Sequence, residues 1–137
     1  MKRNEPVTRI MTPNPVTVHR HMKVSEVRHL LADGHFHHVP VVDGPRLVGI
    51  ISATDLLRLT WGMDDERGLD QLLDHTRTIP EIMSVPTSVT PQTTIRHAVE
   101  ILAEGRFNSL PVVSGQNLVG IVTTRDVMRY LLELFDQ

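Results

Sequence analysis

Apolar positions along the chain follow two spacings that alternate in a fixed order. Val24, Val27, Leu30 and Leu31 recur at helical spacing, so the pattern predicts a helix over 24–34. Gly34 suits a left-handed cap at its C-terminus. Before it, Val16-Thr17-Val18 reads as a brief strand. The lead-in reads as a short helix or turn from Pro6 to Met11, broken by Pro13-Asn14-Pro15. Val39-Pro40-Val41-Val42 and Leu47 to Ile51 are apolar runs of strand length, joined by the turn signal Asp43-Gly44. Ser52 then opens a helix carrying Leu56, Leu57 and Leu59. The predicted unit is strand, helix, strand, strand, helix.

Residues 62–78 are polar and acidic apart from a stripe at Leu69, Leu72 and Leu73, which predicts a linker with one amphipathic turn or short helix. The unit then begins again. Ile82-Met83-Ser84 echoes Ile10-Met11-Thr12. From Val18 onward the two halves align without gaps at an offset of about 71 residues, with about 15 of about 42 positions identical, which is an internal duplication. Repeat 1 is one residue longer between Met11 and Val18. The chain therefore divides into repeat 1 with its lead-in (1–60), a linker (61–78) and repeat 2 (79–137). Each repeat alone has a small core. The expected fold class is α+β, with two βαββα repeats packed through their sheets about a pseudo-two-fold axis. Such an axis creates a cleft suited to a small ligand.

Composition narrows the function. The 137 residues carry a formal net charge of −2, so no basic surplus draws the chain to nucleic acid. The absence of cysteine excludes disulfides and thiolate metal sites and favours a cytoplasmic setting. No long apolar run follows Met1 to Pro6, so no signal peptide is expected, and the longest apolar runs are too short to span a membrane. No activated nucleophile, His–carboxylate pair or metal triad stands out, so the chain is not expected to be an enzyme.

The candidate chemistry lies in Gly49-Ile50-Ile51-Ser52-Ala53-Thr54-Asp55 and its copy, Gly120-Ile121-Val122-Thr123-Thr124-Arg125-Asp126. A Ser or Thr with an Asp three residues later is a capping box, and two well-capped helices are the plain reading. The recurrence of the motif in both repeats adds a second reading. A helix N-terminus favours phosphate, and Ser52 with Thr54 stands at one such end, Thr123 with Arg125 at the other. A carboxylate such as Asp55 or Asp126 accepts both vicinal hydroxyls of a ribose through charge-assisted hydrogen bonds of roughly 1.5–3 kcal/mol each.

Four features occur in order in each repeat. They are the Ile-Met-Thr/Ser lead-in, the Phe-x-x-apolar-Pro-Val-Val strand (Phe36 to Val42, Phe107 to Val113), the Leu-Val-Gly-Ile strand, and the Gly-x-x-Ser/Thr-x-x-Asp helix start. With them the chain resembles a pair of cystathionine beta-synthase (CBS) domains, a Bateman module. The resemblance implies a regulatory module without an attached effector domain, often a homodimer, needing no cofactor. Its ligand would be an adenosine compound: AMP, ADP, ATP, S-adenosylmethionine or a nicotinamide dinucleotide. It further implies that Asp55 and Asp126 hold ribose, and that Thr12 and Val16, and Ser84 and Ser88, frame the base. In relatives each pocket takes its Asp from one repeat and its lead-in and pre-proline residues from the other. One pocket would then join Ser52, Thr54 and Asp55 to Ser84, Asn108 and Ser109. The other would join Thr123, Arg125 and Asp126 to Thr12, His37 and His38. In the kinase gamma subunits the two His positions carry a basic pair facing phosphates. Because Asn108 and Ser109 are neutral, and Arg125 neighbours Asp126, the pocket of Asp126 is expected to hold phosphates better.

Other features have plainer readings beside the functional ones. The His19, His21, His35, His37 and His38 cluster could bind a metal, but its spacing matches no familiar site and it reads as surface and pocket lining. Arg58 and Arg129, three residues after each Asp, suit structural Asp–Arg pairs. Trp61 reads as covering the edge of the core. Val127, Met128, Leu131, Leu132 and Phe135 form a stripe that is part core and part candidate dimer face. Three functions stay open: a nucleotide sensor acting on an effector protein, a ligand-free structural dimerisation module, and a metal-responsive module using the His cluster.

Overall fold

The computed structural model describes residues 4–34, 37–61 and 66–137. In chain order it runs through a 3-10 turn (Val7–Arg9), β1 (Thr12–Pro13), β2 (Val18–His19), α1 (Val24–Asp33), β3 (His38–Asp43), β4 (Arg46–Ser52) and α2 (Ala53–Leu59). There follow α3 (Glu66–Thr76), α4 (Ile79–Ile82), α5 (Ile95–Ala103), β5 (Ser109–Ser114), β6 (Asn117–Thr123) and α6 (Thr124–Phe135). The chain folds as two compact units whose limits differ from those of the repeats. A continuous unit comprises Val16–Val85, and a split unit joins Met1–Pro15 to Pro86–Gln137. Each repeat's lead-in thus belongs to the unit built on the other repeat.

In the continuous unit β2 runs parallel to β3 (Val18↔Val41), and β3 pairs antiparallel with β4 (His38↔Ser52, Pro40↔Ile50). Gly44, at φ +60°, turns the hairpin. The apolar face of α1 buries Val24, Val27 and Leu31 with Val18, Val39, Val41, Ile51 and Leu56. Glu26 reaches back to the backbone N–H of Lys23 at 3.3 Å and closes the first turn of α1. Gly34 does not adopt the left-handed cap expected of it. Its N–H bonds the carbonyl of Leu30 at 3.0 Å, and the chain leaves extended at φ −87°. The left-handed glycine occurs at the matching place in the other repeat, Gly105 (φ +84°).

The linker region is more structured than its polarity suggests. Leu69 and Leu73 of α3 join the core of the continuous unit. Polar bonds then fix α3 to α1. Asp74 accepts from the Ser25 N–H at 2.9 Å and the Ser25 hydroxyl at 2.7 Å. Asp70 accepts from Arg28 at 2.8 Å and contacts His29 Nε2 at 2.6 Å. The His29 hydrogen bond and then Arg28 hold the Asp70 carboxyl below the usual carboxylate range. The lead-in of repeat 2 completes this unit. Ile79 is fully buried in its core, and Ser84 exchanges backbone hydrogen bonds with Ile50 at 2.9 and 3.0 Å.

The split unit follows the same plan. β5 and β6 form a hairpin (Ser109↔Thr123, Pro111↔Ile121) turned by Gly115 at φ +64°. A single parallel bridge, Val89↔Val112, stands where β2 meets β3 in the other unit. The lead-in of repeat 1 adds β1 to β6 (Thr12↔Ile121) and buries Val7 with Val89, Ala98, Leu110, Val112 and Val122. Tyr130 of α6 donates its hydroxyl to Glu5 at 2.6 Å, which with burial raises the phenol's pKa.

Trp61 does not cover a core edge; it is 71% exposed. On α6, Val127 packs on the core, whereas Met128, Leu131, Leu132 and Phe135 are exposed. His35, Phe36 and Gly62 lie outside the described residues.

Candidate functional site

In the split unit, β6 delivers Thr123 in extended conformation to the start of α6. Its hydroxyl oxygen accepts from the Asp126 N–H at 3.1 Å, and Asp126 Oδ2 accepts from the Thr123 N–H at 2.9 Å, a complete capping box. The lead-in strand brings Thr12 to the same carboxylate, where its hydroxyl donates to Oδ1 at 3.1 Å and stands 3.4 Å from Oδ2. Asp126 is 6% exposed. Ser109, opposite Thr123 in the hairpin, is 5% exposed, and its hydroxyl has no partner among the described residues. A buried hydroxyl without a partner is uncommon and marks this end of the hairpin as a place where a polar group is unsatisfied.

The continuous unit repeats this frame with a looser carboxylate. Ser52 Oγ accepts from the Asp55 N–H at 3.0 Å, but Asp55 Oδ2 stands 3.4 Å from the Ser52 N–H. The Asp55 side chain is 34% exposed, with Arg58 Nη1 3.9 Å from Oδ1. Ser84 occupies the register of Thr12, yet no bond joins its hydroxyl to Asp55 among the described residues. The expected Asp–Arg pair therefore forms, at long range, only in α2. No Arg129–Asp126 pair occurs among the described residues, because Thr12 and Thr123 already surround the Asp126 carboxylate.

First-turn amides are scarcer than a bare helix N-terminus suggests. The Ala53 N–H donates to the His37 carbonyl at 2.8 Å, and the Thr124 N–H donates to the Asn108 carbonyl at 3.0 Å. With the amides of Asp55 and Asp126 bonded to the caps, those of Thr54 and Arg125 are the first-turn donors without a partner among the described residues.

The sequence-predicted residues divide by unit. Thr12, Ser88, Asn108, Ser109, Thr123, Arg125 and Asp126 lie in the split unit; Val16, His37, His38, Ser52, Thr54, Asp55 and Ser84 lie in the continuous one. Thr12 and Ser84 thus share a unit with the helix start of the other repeat, directly bonded in the case of Thr12 and Asp126, whereas Val16, Ser88 and the pre-proline residues His37, His38, Asn108 and Ser109 share a unit with the helix start of their own repeat. His38 faces Ser52 across the hairpin. Burial, then His37, hold His38 below the ordinary histidine pKa, with Asp55 opposing them, so its ring favours the neutral form. Val16 and Ser88 are exposed. Among the described residues no three His, Asp or Glu side chains lie close enough to hold a metal ion.

Two residues of the frame escaped the reading of the sequence, Met11 and Met83. Each lies over the glycine of the Leu-Val-Gly-Ile strand in its unit. A β-carbon on Gly120 would stand 2.6 Å from Met11 Sδ, and one on Gly49 would stand 2.8 Å from Met83 Cγ. The pairing of an Ile-Met lead-in with a strand glycine was the available signal.

Known proteins share this arrangement. The CBS domain family model matches residues 7–62 and 79–133. An uncharacterized protein of Methanocaldococcus jannaschii is 30% identical over 128 residues, covering 93% of this chain and 44% of the relative. The chain spans less than half the length of the first curated relatives it matches. The CBS-pair protein CBSX2 from Arabidopsis thaliana superposes with a TM-score of 0.84 at 29% identity, covering 98% of this chain and 99% of that one. A structure of CBSX2 in complex with AMP gives 0.80 at 30% identity, covering 95% and 98%. The CBS domain pair of protein MJ0100, in complex with 5′-methylthioadenosine and S-adenosyl-L-methionine, gives 0.72 at 27% identity, covering 92% and 98%. With both repeats matched and the pair superposing on CBS pairs, the chain belongs to the CBS domain family, as a tandem pair or Bateman module.

Proposed function

We propose that the chain is a regulatory module that binds an adenosine-containing nucleotide, AMP, ADP or ATP, where one repeat's lead-in meets the other repeat's helix start. The observation that carries this reading is the convergence of Thr12, Thr123 and Asp126 in one unit, with Ser109 opposite Thr123 in the hairpin. Ser84, Ser52 and Asp55 are its counterpart in the other. The carboxylate takes the ribose hydroxyls, and the remaining first-turn amide and Arg125 favour the phosphate. The ligands of CBSX2 and of MJ0100 all contain adenosine, which supports the ligand class.

Binding acts on an effector protein through a change in the pair, with a coupling of about 1–3 kcal/mol. The working form is a homodimer. The exposed Met128, Leu131, Leu132 and Phe135 of α6 support this, since such a face is costly to leave in water. A cytoplasmic setting completes the reading. It is consistent with the lack of cysteine, and no helix among the described residues is long and apolar enough to cross a membrane.

Calorimetric titration with AMP, ADP, ATP and S-adenosylmethionine tests the reading, on the natural chain and on Asp55→Asn and Asp126→Asn. Micromolar binding of one ligand, weakened about tenfold or more by an Asn change, is expected. Silence from all four ligands, with both variants merely less stable, would leave the motifs as helix caps.

A further inference from the structure

The two carboxylates differ in what they already hold. Asp126 is buried and accepts from the Thr123 N–H, the Thr123 hydroxyl and the Thr12 hydroxyl, at 2.9 to 3.1 Å. Asp55 is a third exposed, with a long contact from the Ser52 N–H at 3.4 Å and Arg58 Nη1 at 3.9 Å. The lead-ins do not cause this difference through their backbones, because Thr12 and Ser84 pair with Ile121 and Ile50 at equivalent positions of β6 and β4. It is a difference of side chains: the Thr12 hydroxyl engages its carboxylate, and among the described residues the Ser84 hydroxyl does not.

A carboxylate has about four lone-pair directions. On Asp126 the Thr123 N–H and hydroxyl take both directions of Oδ2, and the Thr12 hydroxyl takes one of the two on Oδ1. A vicinal diol donating to Oδ1 meets the Thr12 hydroxyl there. We propose that Thr12 is a specificity-determining gate. Its hydroxyl stands in for a ligand hydroxyl on Asp126, so that a nucleotide engages Asp55 first and Asp126 only after the Thr12 hydroxyl is displaced. The inference rests on the nucleotide reading and adds an order of affinity to it. It also separates two preferences that the sequence merges. Arg125 favours phosphate near Asp126, whereas Thr12 disfavours ribose there. For AMP, with one phosphate and one diol, the ribose contribution dominates.

Ser109 sharpens the argument. Its buried hydroxyl has no partner among the described residues, and Ser109 stands opposite Thr123 in the hairpin, so a shift of the Thr12 hydroxyl off Asp126 would take place next to an unused donor. Displacing Thr12 exchanges one hydroxyl for another on Asp126, so the gate weakens the event without abolishing it.

The test is calorimetric titration of the full chain with AMP, using Thr12→Val, which keeps the branched shape, and Thr12→Ser, which keeps the hydroxyl. Asp55→Asn and Asp126→Asn assign the two events. The tighter event is expected to disappear in Asp55→Asn and persist in Asp126→Asn. Thr12→Val should tighten the Asp126 event about tenfold, as removal of one competing charge-assisted bond implies. The Asp55 event should stay within about twofold, and Thr12→Ser should behave as the natural chain does. With 2′-deoxy-AMP, which lacks one diol hydroxyl, the gain from Thr12→Val should shrink, which a purely structural role would not produce. If Asp126→Asn fails to fold, the Thr12 pair in an Asp55→Asn background isolates the same event. Weaker AMP binding in Thr12→Val, or a tighter event that belongs to Asp126, overturns the gate while the nucleotide reading stands. No AMP binding by any folded variant overturns both.

Discussion

Met83 lies against Gly49 with no room for a side chain between them: a β-carbon there would stand 2.8 Å from Met83 Cγ and 3.0 Å from Met83 Cβ. The near atoms include the root of the methionine, so the side chain cannot swing clear by moving its tip. Gly49→Ala is expected to destabilise the protein by about 1–3 kcal/mol through overpacking. In a Met83→Ala background the same change should cost far less. Urea unfolding of the two single variants and the double checks this, and additive costs would disprove the contact.

The two capping boxes should differ in strength. Ser52→Ala removes one cap and is expected to cost about 1 kcal/mol. Thr123→Ala removes the same cap and also a donor to the buried Asp126 carboxylate, at 3.1 Å, so its cost should lie nearer about 2 kcal/mol. Denaturant midpoints compare them directly, and equal losses would show that the hydroxyl gives Asp126 nothing.

Asp70 ties α3 to α1 through His29 and Arg28. Its pKa is depressed in the fold, so its contribution is present above the unfolded aspartate value, about 3.9, and is lost as pH falls through the folded value. Asp70→Asn should remove that acid-sensitive part and speed amide exchange in α3 at neutral pH, with little effect on α5. Unchanged exchange in α3 would mean that Leu69 and Leu73 alone hold the helix.

His38 titrates in a window of its own. Burial and His37 depress its pKa, so between that folded value and about 6.5 the unfolded chain binds the extra proton. Stability is therefore full above about pH 6.5 and falls as the pH drops below it. His38→Gln should flatten the stability profile below about pH 6.5. A profile as steep as that of the natural chain would place the acid sensitivity on another group.

Much of this was legible from spacing. The apolar periods of α1, the hairpin glycines Gly44 and Gly115, and the caps at Ser52 and Thr123 are local signals, and local physics settles them. The misses have non-local causes. The stripe at Leu69, Leu72 and Leu73 predicted a short helix within a linker, but the ties of α3 were hidden, because Asp70 and Asp74 find Ser25, Arg28 and His29 about 40 to 50 residues earlier. Gly34 matched the sequence signal for a left-handed cap, but its conformation depends on where the following chain must go. Trp61 was assigned to a core edge from its place at the end of repeat 1, yet it is exposed. The resemblance named Thr12 and Asp126 as partners in one pocket. Neither resemblance nor spacing showed that the two would bond to each other, because that depends on how a hydroxyl is aimed.

The exchange of lead-ins has a consequence for inheritance. Residues 1–15 complete the unit built on repeat 2, and residues 79–85 complete the one built on repeat 1. Recombination that replaced a single repeat would therefore replace part of both units at once. Met11 would meet a foreign glycine strand, and Gly49 a foreign methionine. The two copies descend from one duplicated segment, but each has become a condition for the other's folding. They can diverge only in step, and they can be handed on only as a pair.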